Sequence, residues 1–352
     1  MRILLAGGGT GGHVIPALAV AQELRAGGHK AAFMGTARGM EARLVPEAGF
    51  PLYLVHVGQL NRVSLVTRIR TLLGLPLAVL AAMRILRSFR AQAVIGVGGY
   101  AAGPATMAAV LLRIPIVLFE PNVVPGYANR AVARFAANAA VHFAQTGKWF
   151  RRFEVTGVPV RPAFFSLPAR RSQPPTLLVF GGSQGARALN NLMIQAAPRL
   201  LEKIPGLHIV HQTGAHSFGA LQVAMAAAAP TVEVCAFIDD MAQAFADADL
   251  IVCRSGASTV AEIAAAGKCA LFVPFPGAAD DHQLRNAELL ASEGAALLIP
   301  ESELTAVSFV DQVAALLSDA PRMAQMAERA HGLAHPGAAA RIAQMALEVA
   351  KQ

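Results

Sequence analysis

The sequence predicts an α/β protein made of two Rossmann-like, doubly wound parallel-sheet domains. Three observations carry this. Short Val/Ile/Leu runs alternate with Ala-rich helical stretches along the 352 residues, as buried parallel strands with helices on both faces do. A strand, glycine-turn, helix signature occurs twice, at Arg2-Ile-Leu-Leu-Ala-Gly-Gly-Gly-Thr-Gly-Gly-His13 and Leu177-Leu-Val-Phe-Gly-Gly-Ser-Gln-Gly-Ala-Arg187; each copy opens a domain. Between them Pro159, Pro162, Pro168, Pro174 and Pro175 cluster, the composition of a linker.

In chain order, the first half offers strands at Arg2–Ala6, Ala31–Gly35, Leu52–Val57, Ala93–Val97 and Pro115–Phe119. The second offers Thr176–Phe180, Leu207–His211, Thr231–Ala236, Leu250–Cys253 and Ala270–Val273. Open α/β sheets bind ligands beyond the carboxyl ends of their strands. The turns after these strands are therefore where chemistry is expected, and a cleft between the two domains is the natural site.

Composition narrows the class. Hydrophobic residues make up 55% and charged residues 15%, which excludes a disordered chain. Cys235, Cys253 and Cys269 are too few and too scattered for a disulfide framework or zinc ribbon, and suit a reducing compartment. The net charge of +8 is uneven: residues 1–165 hold 18 Lys/Arg against 5 Asp/Glu, and 166–352 hold 12 against 17. The basic half should face anionic lipid, phosphate or nucleic acid. No acid lies between Glu47 and Glu120. No signal peptide is read at the N-terminus. Residues 71–83 are too short to cross a bilayer and are interrupted by Pro76, while residues 91–112 read as strand, glycine turn and helix. A span is rejected and surface attachment expected.

The turns carry the candidate chemistry. Gly7, Gly9 and Gly12 form G-x-G-x-x-G. The second strand ends in Gly35-Thr36 rather than the acid a dinucleotide ribose needs, so the loop reads as a backbone cradle for phosphate or sugar. His13, ahead of Pro16, fits the first turn of a helix, where the dipole favours a neutral imidazole; it is equally a backbone-bonding side chain. Ser183 suits a phosphate at a helix start or an N-cap. In Ser255-Gly-Ala-Ser-Thr-Val-Ala-Glu262, amides from Ala257 through Ser258 to Thr259 suit a diphosphate, and Glu262 a ribose diol. Its plainer reading is a capping box from Thr259 to Glu262. Asp280-Asp-His-Gln283 with Asn286 suits sugar hydroxyls or a solvated helix start. Asp247-Ala-Asp249 looks like a metal-binding D-x-D but reads as solvated surface, and no cluster has metal spacing.

Together these turns resemble the MurG family of bacterial peptidoglycan glycosyltransferases over nearly the whole chain. The matches are Gly8-Gly-Thr-Gly-Gly-His13, Gly98-Gly-Tyr-Ala-Ala-Gly-Pro104, Glu120-Pro-Asn122, Val155-Thr-Gly-Val-Pro-Val-Arg161, Gly181-Gly-Ser-Gln-Gly-Ala186, Phe237-Ile-Asp-Asp-Met241, Arg254-Ser-Gly-Ala257 through Glu262, and His282-Gln283 with Asn286. The resemblance implies a GT-B architecture. Its acceptor- and membrane-facing domain would span 1–160 plus a returning helix at 336–352, and its UDP-sugar domain 161–335. It implies transfer of N-acetylglucosamine from its UDP donor to the muramyl sugar of lipid I, giving lipid II, without a cofactor. Ile238 would meet uracil and Glu262 the ribose. Ser183 and the turn at Ala257, Ser258, Thr259, Val260 and Ala261 would hold the diphosphate with Arg161, and Gln283 the sugar. Thr10, Gly11, Gly12 and Asn122 would complete the donor site, with the acceptor near His13, Tyr100 and Glu120. Pro121, where the family usually has Gln, and the Pro276–Asp281 loop depart from the pattern.

Direct displacement would invert the anomeric centre, with His13 the first candidate base and Glu120 the second. Helix N-termini and Arg161 would stabilise the leaving UDP without metal. Expected partners are the donor, lipid I, an anionic membrane surface at the cytoplasmic face and other cell-wall synthesis proteins. The surface would be met by residues 62–90, with six arginines, Leu72, Leu73, Leu75, Leu77, Val79 and Leu80. A related GT-B enzyme, such as an epimerase or a glycolipid transferase, is one rival. A nucleic-acid binder is the other, and fits poorly, since residues 60–92 hold only one aromatic, Phe89.

Overall fold

In a computed structural model of the chain, the described residues are 1–58, 65–99, 101–171, 174–182 and 184–351; the side chains of 65–70 and 72 also lie outside the description. The chain divides into two units, Met1–Val160 with His335–Gln352, and Arg161–Ala334.

The first unit contains β1 (Arg2–Gly7), α1 (Gly11–Ala26), β2 (Lys30–Gly35), α2 (Glu41–Glu47), β3 (Leu52–Leu54), α3 (Leu65–Phe89), β4 (Ala93–Gly98), α4 (Ala102–Leu111), β5 (Ile116–Glu120), α5 (Tyr127–Val132), β6 (Asn138–Val141) and β7 (Phe153–Val155). Its strands form one parallel sheet in the order β3-β2-β1-β4-β5-β6-β7. Leu4, Val94 and Leu118 on the sheet pack with Ala82, Leu86 and Ala105 from the helices. Continuous Val/Ile/Leu strands bury both faces because helices cover both. Pro76 does not interrupt α3, which runs 25 residues through it; the proline is exposed, so a carbonyl deprived of its N–H partner can meet water.

The second unit contains β8 (Thr176–Phe180), α6 (Arg187–Lys203), β9 (His208–Gln212), α7 (Phe218–Ala228), β10 (Glu233–Cys235), α8 (Met241–Asp247), β11 (Leu250–Cys253), α9 (Ala257–Ala266), β12 (Cys269–Phe272), α10 (His282–Ser292), β13 (Leu297–Leu298), α11 (Ala306–Leu317) and α12 (Ala320–His331). The parallel order is β10-β9-β8-β11-β12-β13. Its core joins Leu177, Val179 and Val252 to Met193, Phe309 and Val313.

The last helix, α13 (Ala338–Val349), belongs to the first unit and packs on α1, β4 and β5. Arg341 on α13 grips Glu154 with Nε and Nη2, a bidentate pair that holds the Glu154 carboxyl below its usual range. His335 lies against Gly157, where a Cβ would stand 2.2 Å from the His335 Cβ. No helix among the described residues is long and apolar enough to cross a membrane.

Candidate functional site

Each sheet has one place where its growth reverses: between β1 and β4, and between β8 and β11. Loops leaving the carboxyl ends of those pairs run to opposite faces and open a crevice. Nearly all the residues singled out from sequence fall on loops at these edges or on the first turns of the helices that follow.

In the first unit, Gly7–Gly9 lie at φ of 146°, 156° and 93°. A Cβ at Gly7 would stand 2.2 Å from the Gly98 carbonyl oxygen, and one at Gly8 2.2 Å from the Glu41 carboxyl carbon. These glycines therefore clear space for the protein's own backbone and a carboxylate. The expected open cradle for phosphate is corrected to that extent: the Gly9 amide donates to Glu41 Oε2 at 2.7 Å. Thr10 precedes α1, and Gly11, Gly12 and His13 form its first turn. His13 Nδ1 lies 3.2 Å from Thr10 Oγ1, and its ring rests on Gly98, whose added Cβ would meet Nε2 at 3.0 Å. His13 thus stands in the first turn as expected, and Pro16 follows in the second. Tyr100 lies outside the described residues.

Glu120 ends β5 and is 2% exposed. Its Oε1 accepts from the Asn122 amide (3.1 Å) and Nδ2 (3.2 Å), and its Oε2 from the Gly126 amide (2.9 Å) and Asn129 Nδ2 (3.0 Å). Burial pushes its pKa up, against the pull of those donors. With both oxygens engaged, it organises the loop that carries Asn122. His142, after β6, is buried, and its ring donates to the Pro121 carbonyl; desolvation lowers its pKa to about 3.

In the second unit, the loop after β8 packs on Thr213 and Gly214: a Cβ at Gly185 would stand 1.9 Å from the Thr213 oxygen. Ser183 lies outside the described residues, and the residue capping α6 is Ala186, so no serine N-cap forms there. The capping box, the plainer alternative at Thr259 and Glu262, is also absent. Gly256 is the N-cap of α9 and no side chain caps the helix, which places Thr259 inside the first turn and Glu262 one turn further. Ala257, Ser258, Thr259, Val260 and Ala261 thus occupy the start of α9, and the Ser258 hydroxyl is buried with no hydrogen-bond partner. An uncapped helix start presents its amides and positive dipole end to an anion.

Glu262 has a side chain 22% exposed, and Arg161 Nη2 stands 3.8 Å from its Oε1. Desolvation pushes its pKa up to about 7, with the Arg161 charge opposing. Arg161 also lies over the Phe164 ring, 4.9 Å from its centroid. Gln283, at the start of α10, accepts from the Phe275 amide (2.9 Å) through Oε1, and its carbonyl accepts from Ser255 Oγ (2.8 Å). This ties the loops after β11 and β12 together. Ile238 lies, half-buried, on the loop after the edge strand β10. The D-x-D pair is not solvated surface. Asp249 accepts from Arg170 Nη1 and Nη2 (2.6 and 2.7 Å) and the Thr176 amide (2.8 Å), and Asp247 accepts from Gln243 Nε2 (3.2 Å). These carboxylates fasten the linker to the sheet. No group of three or more metal-ligating side chains occurs among the described residues.

One residue escaped the sequence reading, and another stood there only as part of a motif, with no role. Glu41 is 1% exposed beneath the first glycine loop. Arg254 pairs with Glu301 at 2.6 Å and donates to the Val273 and Pro274 carbonyls, both at 2.9 Å, shaping the loop after β12. A signal existed for Glu41: it is one of five acids in residues 1–165.

Comparison with known proteins completes the picture. Residues 3–141 match the glycosyltransferase family 28 N-terminal domain, and residues 176–342 the family 28 C-terminal domain. A protein of Solibacter usitatus named UDP-N-acetylglucosamine–N-acetylmuramyl-(pentapeptide) pyrophosphoryl-undecaprenol N-acetylglucosamine transferase is 49% identical over 99% of this chain and 96% of its own. A protein of the same name from Syntrophotalea carbinolica is 43% identical over the full length of both. The crystal structure of Acinetobacter baumannii MurG superposes with a TM-score of 0.83 at 36% identity, covering 99% of each chain.

Proposed function

The chain belongs to glycosyltransferase family 28, and from that premise we propose how it works. It transfers N-acetylglucosamine from UDP-N-acetylglucosamine to the lipid-linked N-acetylmuramyl-pentapeptide, lipid I, giving lipid II. The observation that carries the site assignment is the start of α9. An uncapped helix N-terminus, a buried unpartnered hydroxyl and a half-buried carboxylate beside an arginine lie within two turns of a switch point. That set matches the diphosphate and ribose of a nucleotide sugar.

The second unit is the donor domain. The amides of Ala257, Ser258 and Thr259, the Ser258 hydroxyl and Ser183 take the diphosphate, with Val260 and Ala261 bordering it. Glu262 takes the ribose diol, the backbone of Ile238 the uracil, and the Nε2 of Gln283 a sugar hydroxyl. Arg161 offsets the charge that grows on UDP as it leaves. Thr10, Gly11, Gly12 and Asn122 come from the first unit, which also receives the acceptor near Tyr100. Direct displacement inverts the anomeric carbon, and His13 removes the proton of the acceptor's 4-hydroxyl. Glu120, with four donors on its carboxylate, positions the Asn122 loop instead. The test is transfer of radiolabel from UDP-N-acetylglucosamine to a lipid I analogue. Acceptor-dependent lipid II is expected; epimerised or hydrolysed donor without it would overturn the reading.

The first unit attaches reversibly to the cytoplasmic face of the membrane. Leu73, Leu77 and Leu80 are 75%, 70% and 51% exposed and, with the exposed Arg84 and Arg87, recur along one stripe of α3. Val79 instead packs into the core. Of the six arginines expected there, Arg62 lies outside the described residues, as do the side chains of Arg68 and Arg70. The neighbouring α4, which packs on α3, exposes Leu111. Elsewhere on the unit, Arg130, Arg134, Lys148, Trp149 and Arg151 line a surface cavity. Basic side chains near anionic lipid contribute about 1 kcal/mol each, screened by salt. Sedimentation with anionic vesicles should capture the protein at low salt and release it at high salt. Equal capture by neutral vesicles would overturn this.

A further inference from the structure

We propose that Glu41 is a positioning residue for the glycine loop that carries Thr10 and His13, an inference that rests on the transferase reading above. At Gly9 no packing fixes the loop. A Cβ added at Gly9 would meet nothing within 4 Å, and glycine places little restriction of its own on φ. Among the described residues, two hydrogen bonds hold the Gly9 backbone. Its amide donates to Glu41 Oε2 at 2.7 Å, and its carbonyl accepts from the Met40 amide at 3.3 Å. Both come from the start of α2.

The carboxylate is itself held from the other side. Glu41 Oε1 accepts from the Thr36 amide and the Thr36 hydroxyl, each at 2.9 Å. Three glycines surround the Glu41 side chain: an added Cβ would stand 2.2 Å from its carboxyl carbon at Gly8, 2.5 Å from its Cγ at Gly35 and 2.0 Å from its Oε2 at Gly39. The group is buried at 1% exposure and both oxygens act as acceptors. An ionised carboxylate suits this arrangement, because its bonds to backbone N–H groups are charge-assisted and it carries no donor to oppose them.

The consequence runs along the chain. Gly9 leads directly into Thr10, whose carbonyl accepts from the His13 and Val14 amides at 3.1 and 3.2 Å and whose hydroxyl meets His13 Nδ1. The direction of the imidazole therefore depends on the peptide before Thr10, and Glu41 fixes that peptide. The amide that a dinucleotide fold would offer to a ligand phosphate is here given to an internal anion.

The test is Glu41→Gln, which keeps the volume and places an NH₂ against either the Gly9 or the Thr36 amide. Kinetics with UDP-N-acetylglucosamine and a lipid I analogue should show kcat reduced tenfold or more. The KM for the donor, whose main contacts lie on the other unit, should stay within twofold. Thr36→Val removes one donor to the carboxylate and should show the same split with a smaller fall, so the inference remains testable if Glu41→Gln folds poorly. Either a Glu41→Gln kcat within twofold of wild type or a kcat loss matching the lost folded fraction by circular dichroism would overturn it. A wild type without transfer would instead sink the transferase reading.

Discussion

The two crevice turns share a plan and use it in opposite ways. After β1, Gly7 and Gly8 let the chain press against Gly98 and the buried carboxylate of Glu41, and the loop amide of Gly9 is already bonded. After β11, a single Gly256 caps α9 with no side chain bonding the first turn, and the Ser258 hydroxyl is left buried and unpartnered. The first turn is satisfied internally and presents a side chain, His13. The second leaves unmet hydrogen-bonding capacity and presents backbone. Buried polar groups without partners are costly, so the second arrangement is suited to an anion arriving from outside. Glycine count is thus a poor guide to phosphate binding; what matters is whether the amides are already engaged.

The largest expected effect breaks the first turn while sparing the second. His13→Ala should lower kcat by about 10²–10⁴-fold, the range for a lost general base, while calorimetry finds UDP affinity within about twofold of wild type, the tolerance for an untouched site. Glu120→Gln serves as its partner experiment. It replaces a carboxylate that accepts four bonds, so it should cost stability of about 1–3 kcal/mol and leave the midpoint of the kcat–pH profile in place. If Glu120→Gln removed a limb of that profile and His13→Ala did not, the base would have to be reassigned.

Much of this was legible before the structure. Ten strands fall where short Val/Ile/Leu runs predicted them, because strands covered on both faces must be apolar throughout. β6, β7 and β13 escaped: Asn138-Ala-Ala-Val141 is small and Ala-rich, and the others are three and two residues long. The turns were visible because glycine is needed where backbones approach closely. What occupies the cleared space was not, since Glu41 meets Gly9, 32 residues away, only once β1 and β2 pair. Pattern alone left two readings of Thr259 and Glu262, whose spacing also fits a capping box; Gly256 begins the helix one turn earlier and leaves the other, with the amides from Ala257 to Thr259 at the helix start. Asp249 looked solvated because its partner, Arg170, is 79 residues away.

The next effect sharpens the second turn. Glu262 sits where burial raises its pKa to about 7. A ribose diol held by the carboxylate should then bind less well as pH falls through about 7. Removal by Glu262→Ala should weaken UDP by about 10- to 100-fold, the worth of a hydrogen bond to a charged group. The stability effect has the opposite sign. Between the unfolded value of 4.5 and the folded value of about 7, the native state binds more protons, so this group's contribution to stability falls as pH rises through that window. Glu262→Gln, neutral throughout, should therefore melt higher than wild type at pH 8 and alike near pH 4.5. A lower melting temperature at pH 8 would mean that the Arg161 pair outweighs the desolvation.

The smallest effect probes the same turn one atom at a time. Ser258 Oγ is buried and has no hydrogen-bond partner. Removing a buried hydroxyl ordinarily destabilises because its partner is left behind, but here there is no partner to leave. Ser258→Ala deletes an unmet polar atom, and alanine is also the better helix former by about 0.5 kcal/mol. The unliganded protein should gain about 1 kcal/mol by denaturant unfolding. UDP should bind about tenfold more weakly, the low end for one hydrogen bond to a charged group. Stability up and affinity down in one substitution is the signature of a group held in reserve for a ligand. Stability down would show that the hydroxyl already bonds within the protein, and α9 would then resemble the satisfied turn after β1.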